Sequence, residues 1–255
     1  MSLYLECNWS PLSTTIMPLP FSFPTCADLA RGFLHLAYPQ MCVACGADMP
    51  AGRACFCLRC RTKLSPTEMH LHRDNEFTER FWGRLPLQSA AAMYYFTRKS
   101  PIQRALYQLK YQNQPQVGVK IGREFGAILL QSPVFQTIDG IVPVPLHPRK
   151  ERMRGYNQSA LLAQGLGEAM GVPVVTRALV RSLFTDTQTH KKRMERFENV
   201  EEVFAIQRPA DLRGKHLLLV DDVMTTGATL EPCGQLLLSV PGTTLSMATI
   251  AIAVH

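Results

Sequence analysis

Short apolar runs and helical patterns alternate along the chain from Ala90 onward. The apolar runs, each a predicted strand, lie at 91–96, 141–146, 172–175, 216–220 and 245–254. Helical patterns separate them, at Pro101–Tyr111, 117–131, Asn157–Met170 and Thr229–Val240. Short continuous apolar strands that alternate with helices are typical of a parallel sheet covered on both faces. The pattern therefore predicts an open, doubly wound α/β domain over residues 89–255.

The first third of the chain does not show this alternation of apolar runs and helical patterns. Residues 1–28 mix Ser, Thr and Pro with isolated apolar residues, which predicts a poorly ordered extension, and Met17 is an alternative start. Residues 29–38 predict a short amphipathic helix, which leads into a cysteine-rich module that ends near residue 64. Residues 65–88 predict an irregular connector.

The segment 216–230 carries the most informative local pattern. A buried strand is followed by Asp221 and Asp222, then by the loop Thr225-Thr226-Gly227-Ala228-Thr229, then by a helix start. In an open α/β sheet, ligands bind at the carboxyl ends of strands. The loop offers backbone N–H groups, three hydroxyls and a helix amino terminus, and glycine lets the backbone fold tightly around a guest. These features predict a site for a phosphate dianion.

Two carboxylates beside a phosphate site need a partner of their own. They can accept hydrogen bonds from the vicinal hydroxyls of a ribose, or they can hold Mg²⁺. Neither a P-loop motif nor a dinucleotide fingerprint occurs in the chain. The alternative is an ordinary strand whose threonines cap the next helix, but capping explains neither the acids nor the glycine.

The positive charge of the chain is concentrated in two places. The net charge is +7, and the segments 147–158 and 190–196 each contribute +3. The first segment contains Arg149, Lys150, Arg152 and Arg154, and Gly155 relaxes the backbone after them. Basic runs are often only solvated faces, so an anionic partner is one of two interpretations. The aromatic residues near the two segments are few, Tyr156 and Phe197, which argues only weakly for base stacking.

Four cysteines have the spacing of a metal site. Cys42-x-x-Cys45 and Cys57-x-x-Cys60 are two C-x₂-C pairs with 11 residues between them. Such pairs predict a tetrahedral Cys₄ zinc site, whose role is structural because no coordination position stays open. Cys55 is an alternative to Cys57, but only Cys57 preserves the C-x₂-C spacing.

The longest motif resembles a known signature. VDDVMTTGAT, residues 220–229, is similar to the phosphoribosyl pyrophosphate (PRPP) signature of type I phosphoribosyltransferases. The resemblance implies a type I fold with Asp221 and Asp222 on the ribose hydroxyls and residues 225–229 around the 5′-phosphate. It places the segment after strand 141–146 at the pyrophosphate, which Arg149, Arg152, Arg154 and Gly155 would bind together with Mg²⁺.

Further segments resemble one family. VPVPLHPRKERMRGYNQS (142–159), TQTHKKRMERFEN (187–199) and the cysteine module together resemble the ComF/GntX family over residues 29–255. The resemblance implies a role in bacterial DNA uptake, with competence proteins and single-stranded DNA as partners.

Three functions stay open at this point. The protein is a phosphoribosyl-transferring enzyme on an unidentified acceptor, a DNA-handling protein, or a PRPP-binding regulator without turnover. In the enzyme, Asp221 and Asp222 would hold the ribose while pyrophosphate leaves its C1 carbon. The sequence has no membrane-span pattern and no secretory signal, which predicts a cytoplasmic protein with reduced cysteines.

Overall fold

The computed structural model describes residues 40–50, 52, 54–183 and 202–253, all of which belong to one compact unit. The extension 1–28, the helix predicted at 29–38 and the basic segment 190–196 lie outside the described residues. The described strands, in chain order, are β1 (Gln40–Met41), β2 (Asp48–Met49), β3 (Leu87–Phe96), β4 (Gly140–Pro143), β5 (Leu179–Leu183), β6 (Glu202–Ile206), β7 (His216–Met224) and β8 (Thr244–Ala253).

The described α-helices connect these strands much as the sequence predicts. They are α1 (Leu58–Arg61), α2 (Glu76–Glu79), α3 (Pro101–Tyr111), α4 (Pro115–Leu129), α5 (Pro133–Gln136), α6 (Pro148–Arg154), α7 (Gln158–Met170) and α8 (Leu230–Leu238). The helix predicted at Pro101–Tyr111 is confirmed at both ends. Its start follows from Ser100, whose side chain accepts a hydrogen bond from the N–H of Gln103, and from proline in the first turn.

The central sheet is parallel, as predicted, and has the strand order β3-β8-β7-β4. Its registers pair Ala90 with Met247, Leu218 with Ser246 and Val142 with Leu219. The apolar run predicted as a strand at 172–175 contributes a single parallel bridge, from Val174 to Ile141 on the outer side of β4. The inner strands are buried over residues 217–220 of β7 and 245–252 of β8, which explains the long apolar runs at these positions.

Helices α4 and α7 pack together with their backbones in contact. A Cβ atom on Gly122 would lie 2.3 Å from the carbonyl oxygen of Leu162, and one on Gly165 would lie 2.1 Å from that of Val119. Only glycine allows so close an approach. On its other side α7 meets the sheet, because a Cβ on Gly167 would lie 2.9 Å from a side-chain carbon of Val174, and its first turn reaches Asp221 through Ser159.

Three features differ from the predictions. The strands β5 and β6 form a separate two-stranded antiparallel sheet that pairs Leu179 with Ile206, and the apolar pattern did not reveal it. Residues 148–154, predicted as a loop, form the helix α6. The predicted irregular connector contains a 3-10 turn at Met69–Leu71 and the helix α2, which Asn75 caps.

Candidate functional site

The order of the strands places a topological switch point, where a ligand crevice is expected, between β4 and β7. After β4 the chain runs through α6 and α7 to the bridge at Val174, which lies on the outer side of β4, away from β7. After β7 it runs through α8 to β8, which lies on the side of β7 away from β4. Where neighbouring strands send their connections in opposite directions, the carboxyl ends of the strands flank a ligand crevice. The residues that the sequence analysis selected at Asp221 and at α6 follow these two strand ends.

Asp221 and Asp222 lie near the carboxyl end of β7. The hydroxyl of Ser159, at the start of α7, donates to Oδ1 of Asp221 at 2.9 Å. The ammonium of Lys110, near the end of α3, lies 3.0 Å and 2.9 Å from the two carboxylate oxygens of Asp222. Two helices therefore hold the acidic pair, and a lysine balances one of its charges.

The two acids differ in their electrostatic surroundings. Withdrawal from water, followed by repulsion from the Asp222 carboxylate, raises the pKa of Asp221 to about 7. The hydrogen bonds that Asp221 accepts from Ser159 and from the backbone N–H of Asp222 oppose this rise. The arrangement suits a cation or hydroxyl groups, which would relieve the repulsion between the acids.

The loop 225–229 is open to solvent and precedes the first turn of α8. Thr225, Thr226 and Ala228 are exposed, whereas Gly227 is buried with φ of +85°. Thr229 occupies the N-cap position of α8 and makes no side-chain cap hydrogen bond. The alternative that the threonines serve as caps therefore finds no support at Thr229. The first N–H groups of a helix have no partner within the helix and favour an anion.

The helix α6 follows the carboxyl end of β4 and carries three arginines. Arg149 and Arg152 are exposed, and neither forms an ion pair with a carboxylate among the described residues. Arg154 is half-buried and donates to Oε1 of Gln158 at 2.7 Å. Gly155 ends the helix in the left-handed region at φ of +81°. The structure thus brings the predicted arginines and the acidic pair to the same edge of the sheet.

A segment that the sequence did not mark as functional, around Arg80 and Phe81, packs against the loop 225–229. Arg80, just after α2, donates to the carbonyl oxygens of Thr225 and Ala253, and forms an ion pair with Glu76 at 3.0 Å. The C=O and N–H of a trans peptide point in opposite directions. A Thr225 carbonyl held toward Arg80 therefore turns the N–H of Thr226 away from Arg80.

The next residues of this segment complete the support. The ring of Phe81 is fully buried, and a Cβ on Gly227 would lie 2.8 Å from its Cζ atom. Arg84 pairs with Glu231 in the first turn of α8 at 2.5 Å. Two features of the structure therefore require glycine at position 227: the positive φ and the lack of space beside Phe81. The sequence suggested a third reason, the close approach of the backbone to a ligand.

Removal of Arg80 tests this support. We expect Arg80→Ala to weaken binding of PRPP and ribose 5-phosphate by about tenfold, because charge-assisted hydrogen bonds contribute about 1.5–3 kcal/mol. Binding of pyrophosphate, measured by calorimetry, should be unchanged. Arg84→Ala is the matched control, since Arg84 contacts α8 but no loop carbonyl. Equal losses for the two variants, or for all three ligands, would show general loosening instead of loop positioning.

The four predicted metal ligands converge. The sulfur atoms of Cys42, Cys45, Cys57 and Cys60 all lie within 4.8 Å of one another. The first pair flanks the turn between β1 and β2, where the N–H of Gly46 donates to the Cys42 carbonyl and Gly46 has φ of +69°. The second pair spans the start of α1. The cluster can hold a metal ion, and thiolates in tetrahedral number are the ligands that zinc prefers.

The thiols of the cluster differ in acidity. Burial alone would raise the pKa of Cys42, but backbone N–H groups, that of Cys57 first among them, lower it to about 7. Burial and the neighbouring thiols raise the pKa of Cys60 to about 12. A metal cation bound at the cluster would lower the pKa of Cys60 again, because it favours the thiolate.

Cys55 is excluded from the cluster. Its side chain is buried, and burial together with the charge of Glu124 raises the pKa of its thiol well above the usual range. Its backbone N–H donates to Glu124 in α4 at 2.7 Å. Between Cys55 and Cys57, the alternatives left open by the spacing, the structure selects Cys57.

The cysteine module packs on the α/β part through specific contacts. The ring of Phe56 meets that of Tyr94 in β3 edge to face, with 5.8 Å between centroids. Arg104 in α3 donates to the carbonyl oxygen of Ala44 at 3.2 Å. The module is therefore anchored to β3, α3 and α4, and not held by its cysteines alone.

The chain is similar to one protein domain family and to several individual proteins. Residues 157–254 match the phosphoribosyl transferase domain family. The DNA utilization protein YhgH of Salmonella typhi is 33% identical over 224 residues, which cover 87% of this chain and 88% of that protein. Competence protein F of Haemophilus influenzae is 26% identical over 211 residues, covering 81% and 88%. Adenine phosphoribosyltransferase of Trypanosoma brucei matches with a TM-score of 0.39 at 14% identity, over 62% of this chain and 83% of that one.

The parallel sheet, the matched domain and the four-cysteine cluster define a protein with a type I phosphoribosyltransferase fold and an amino-terminal metal-binding module. The chain belongs to the ComF family, as its similarity to YhgH and competence protein F shows.

None of the helices in the described part of the chain is both long and apolar enough to cross a membrane.

Proposed function

We propose that this protein binds PRPP with Mg²⁺ at the β4–β7 crevice and acts in the handling of DNA during uptake, in contact with single-stranded DNA. The observation that carries the PRPP part is the convergence of three groups at one sheet edge. These are the acidic pair on β7, the loop before α8, and the arginines of α6. A phosphoribosyl pyrophosphate has a ribose, a 5′-phosphate and a pyrophosphate, which correspond to these groups.

Each group has a distinct task in this proposal. Thr225, Thr226 and Thr229, with the N–H groups of their loop, bind the 5′-phosphate. Asp221 and Asp222 accept hydrogen bonds from the ribose hydroxyls, and Lys110 moves from Asp222 as these form. Arg149 and Arg152 bind the pyrophosphate. Mg²⁺, held by the acidic pair and the pyrophosphate, would neutralise charge on the leaving group.

The DNA part rests on the relatives and on charge. The two similar proteins named above carry the descriptions DNA utilization and competence. The exposed basic residues of α6 add a surface that attracts phosphates. We further propose that the four-cysteine cluster holds structural zinc and that the protein is cytoplasmic.

The central experiment is calorimetry on the full-length, metal-loaded protein. PRPP should bind more tightly with Mg²⁺ than without it, ribose 5-phosphate should bind, and ribose should not. Absence of PRPP binding in the presence of Mg²⁺ would contradict the proposal. Pyrophosphate release with candidate acceptors then distinguishes an enzyme from a regulator.

A double substitution separates the pyrophosphate subsite from the phosphate loop. Arg149→Ala with Arg152→Ala should weaken PRPP binding by about tenfold or more, because it removes two charge-assisted contacts at exposed positions that solvent and salt screen in part. Binding of ribose 5-phosphate should stay unchanged. The control is Arg208→Ala with Arg213→Ala, which removes the same charge from exposed positions before the amino end of β7. If the control variant binds PRPP as weakly as Arg149→Ala with Arg152→Ala, the loss of affinity comes from the net charge of the protein and not from a pyrophosphate subsite.

A further inference from the structure

We propose that the exposed face of α3, with α6 beside it, is a stacking platform for single-stranded DNA. Tyr107 and Tyr111 lie one helical turn apart on α3, and they are 55% and 63% exposed. Their ring centroids are 5.1 Å apart, with the rings tilted by 43°. The two aromatic rings therefore lie next to each other at the exposed surface of a helix whose other face is buried.

The helix α6 brings positive charge to the tyrosines. The guanidinium carbon of Arg154 lies 5.4 Å from the ring centroid of Tyr111. A hydrogen bond of 2.8 Å from the Tyr156 hydroxyl to the Leu109 carbonyl joins the segment after α6 to α3. The neighbouring turns of α6 carry Arg149, Lys150 and Arg152, all exposed, and Met153 is 77% exposed.

This combination favours single-stranded DNA over other anionic partners. Unstacked bases offer π faces to exposed aromatic rings, and their phosphates offer charge to the arginines. A duplex hides its base faces, and an acidic peptide would use the arginines but leave the tyrosines without a role. The choice of DNA rests on the proposed function, in which the protein handles DNA.

The platform adjoins the proposed phosphoribosyl site. Lys110, which precedes Tyr111 on α3, forms the ion pair with Asp222. A strand that stacks on Tyr107 and Tyr111 would therefore run along the border of the β4–β7 crevice. Tyr107 and Tyr111 are distant in sequence from α6, so the sparse aromatics near the basic segments did not reveal the platform.

Oligonucleotides with and without bases test the stacking directly. The full-length protein is titrated, by fluorescence anisotropy, with an oligothymidylate of about 12 nucleotides and with an abasic strand of equal length. The wild type should bind the oligothymidylate about tenfold or more tightly than the abasic strand, because stacking adds to the charge term. Tyr107→Ala with Tyr111→Ala should reduce the oligothymidylate affinity to the abasic level and leave the abasic affinity unchanged.

The matched control keeps the rings. Tyr107→Phe with Tyr111→Phe should bind like the wild type, and PRPP calorimetry and the melting temperature should be normal for both double variants. If the alanine variant binds oligothymidylate as the wild type does, the platform is wrong while the proposed DNA contact stands. Equal wild-type affinity for the two strands, or preference for a duplex, also overturns the platform. If the wild type binds no strand, the DNA part of the proposed function fails with it.

Discussion

Gly227→Val is expected to lower the affinity for PRPP by about 100-fold or more. Gly227 has φ of +85°, which a β-branched residue adopts only with strain of about 1–3 kcal/mol. The new Cβ would also lie 2.8 Å from Cζ of the buried Phe81, so the loop 225–229 must move. Each 1.4 kcal/mol is about a factor of ten in affinity, so strain and displacement together account for the size of the loss.

A second glycine separates backbone strain from damage to the loop. Gly171, at the far end of α7, has φ of +71°, and a Cβ there would have no neighbouring atom within 4 Å, so Gly171→Val suffers the strain without the overlap. Calorimetry should show normal PRPP binding for Gly171→Val, and melting curves should show that both variants fold, with the smaller loss of stability for Gly171→Val, which has the strain without the overlap. Normal binding by Gly227→Val would remove the basis for the phosphate loop.

The strand β7, the loop after it and helix α8 could be predicted because their signals are local. The run HLLLV is apolar since both faces of β7 are covered, and the change to Asp, Thr and Gly marks the point where the strand reaches solvent. The four-cysteine cluster was predictable for the same reason, because C-x₂-C spacing sets the geometry of each pair.

The support beneath the loop could not be predicted because its contacts are distant in the chain. Nothing in the segment around Phe81 indicates that its ring will lie against Gly227. The helix α6 was missed for a different reason. None of its residues is buried, so it has no apolar stripe to reveal a helical period, and its capping by His147 is uncommon.

The cysteine module could be predicted from the sequence only in part. Its ligands follow from spacing, but its anchoring through Phe56 and Tyr94 does not. The anchoring has a consequence for stability: metal loss at the module should reach β3, which carries Tyr94 into the central sheet. The module and the α/β part therefore pack against each other, although their sequence patterns differ.

Cys57→Ala is expected to remove the bound metal, one zinc per chain in the wild type, and to lower the melting temperature. A structural zinc site contributes about 10–16 kcal/mol of apparent binding free energy in small peptides, and much of this free energy stabilises the folded segment. Metal analysis of the purified variant measures the loss. Cys55→Ala is the matched control, because Cys55 is buried nearby but lies outside the sulfur cluster, and it should keep the zinc.

The pH dependence of zinc binding provides an independent check of the same site. Zinc binds thiolates, so protons compete with it, and affinity falls as pH falls. Cys42, with its pKa lowered to about 7, is partly thiolate at neutral pH, and below that pH it too must release a proton. Zinc affinity of the wild type, measured with a chelator, should therefore fall more steeply with decreasing pH below about 7 than above it. Retention of zinc by Cys57→Ala with loss in Cys55→Ala would mean that Cys55 is the fourth ligand.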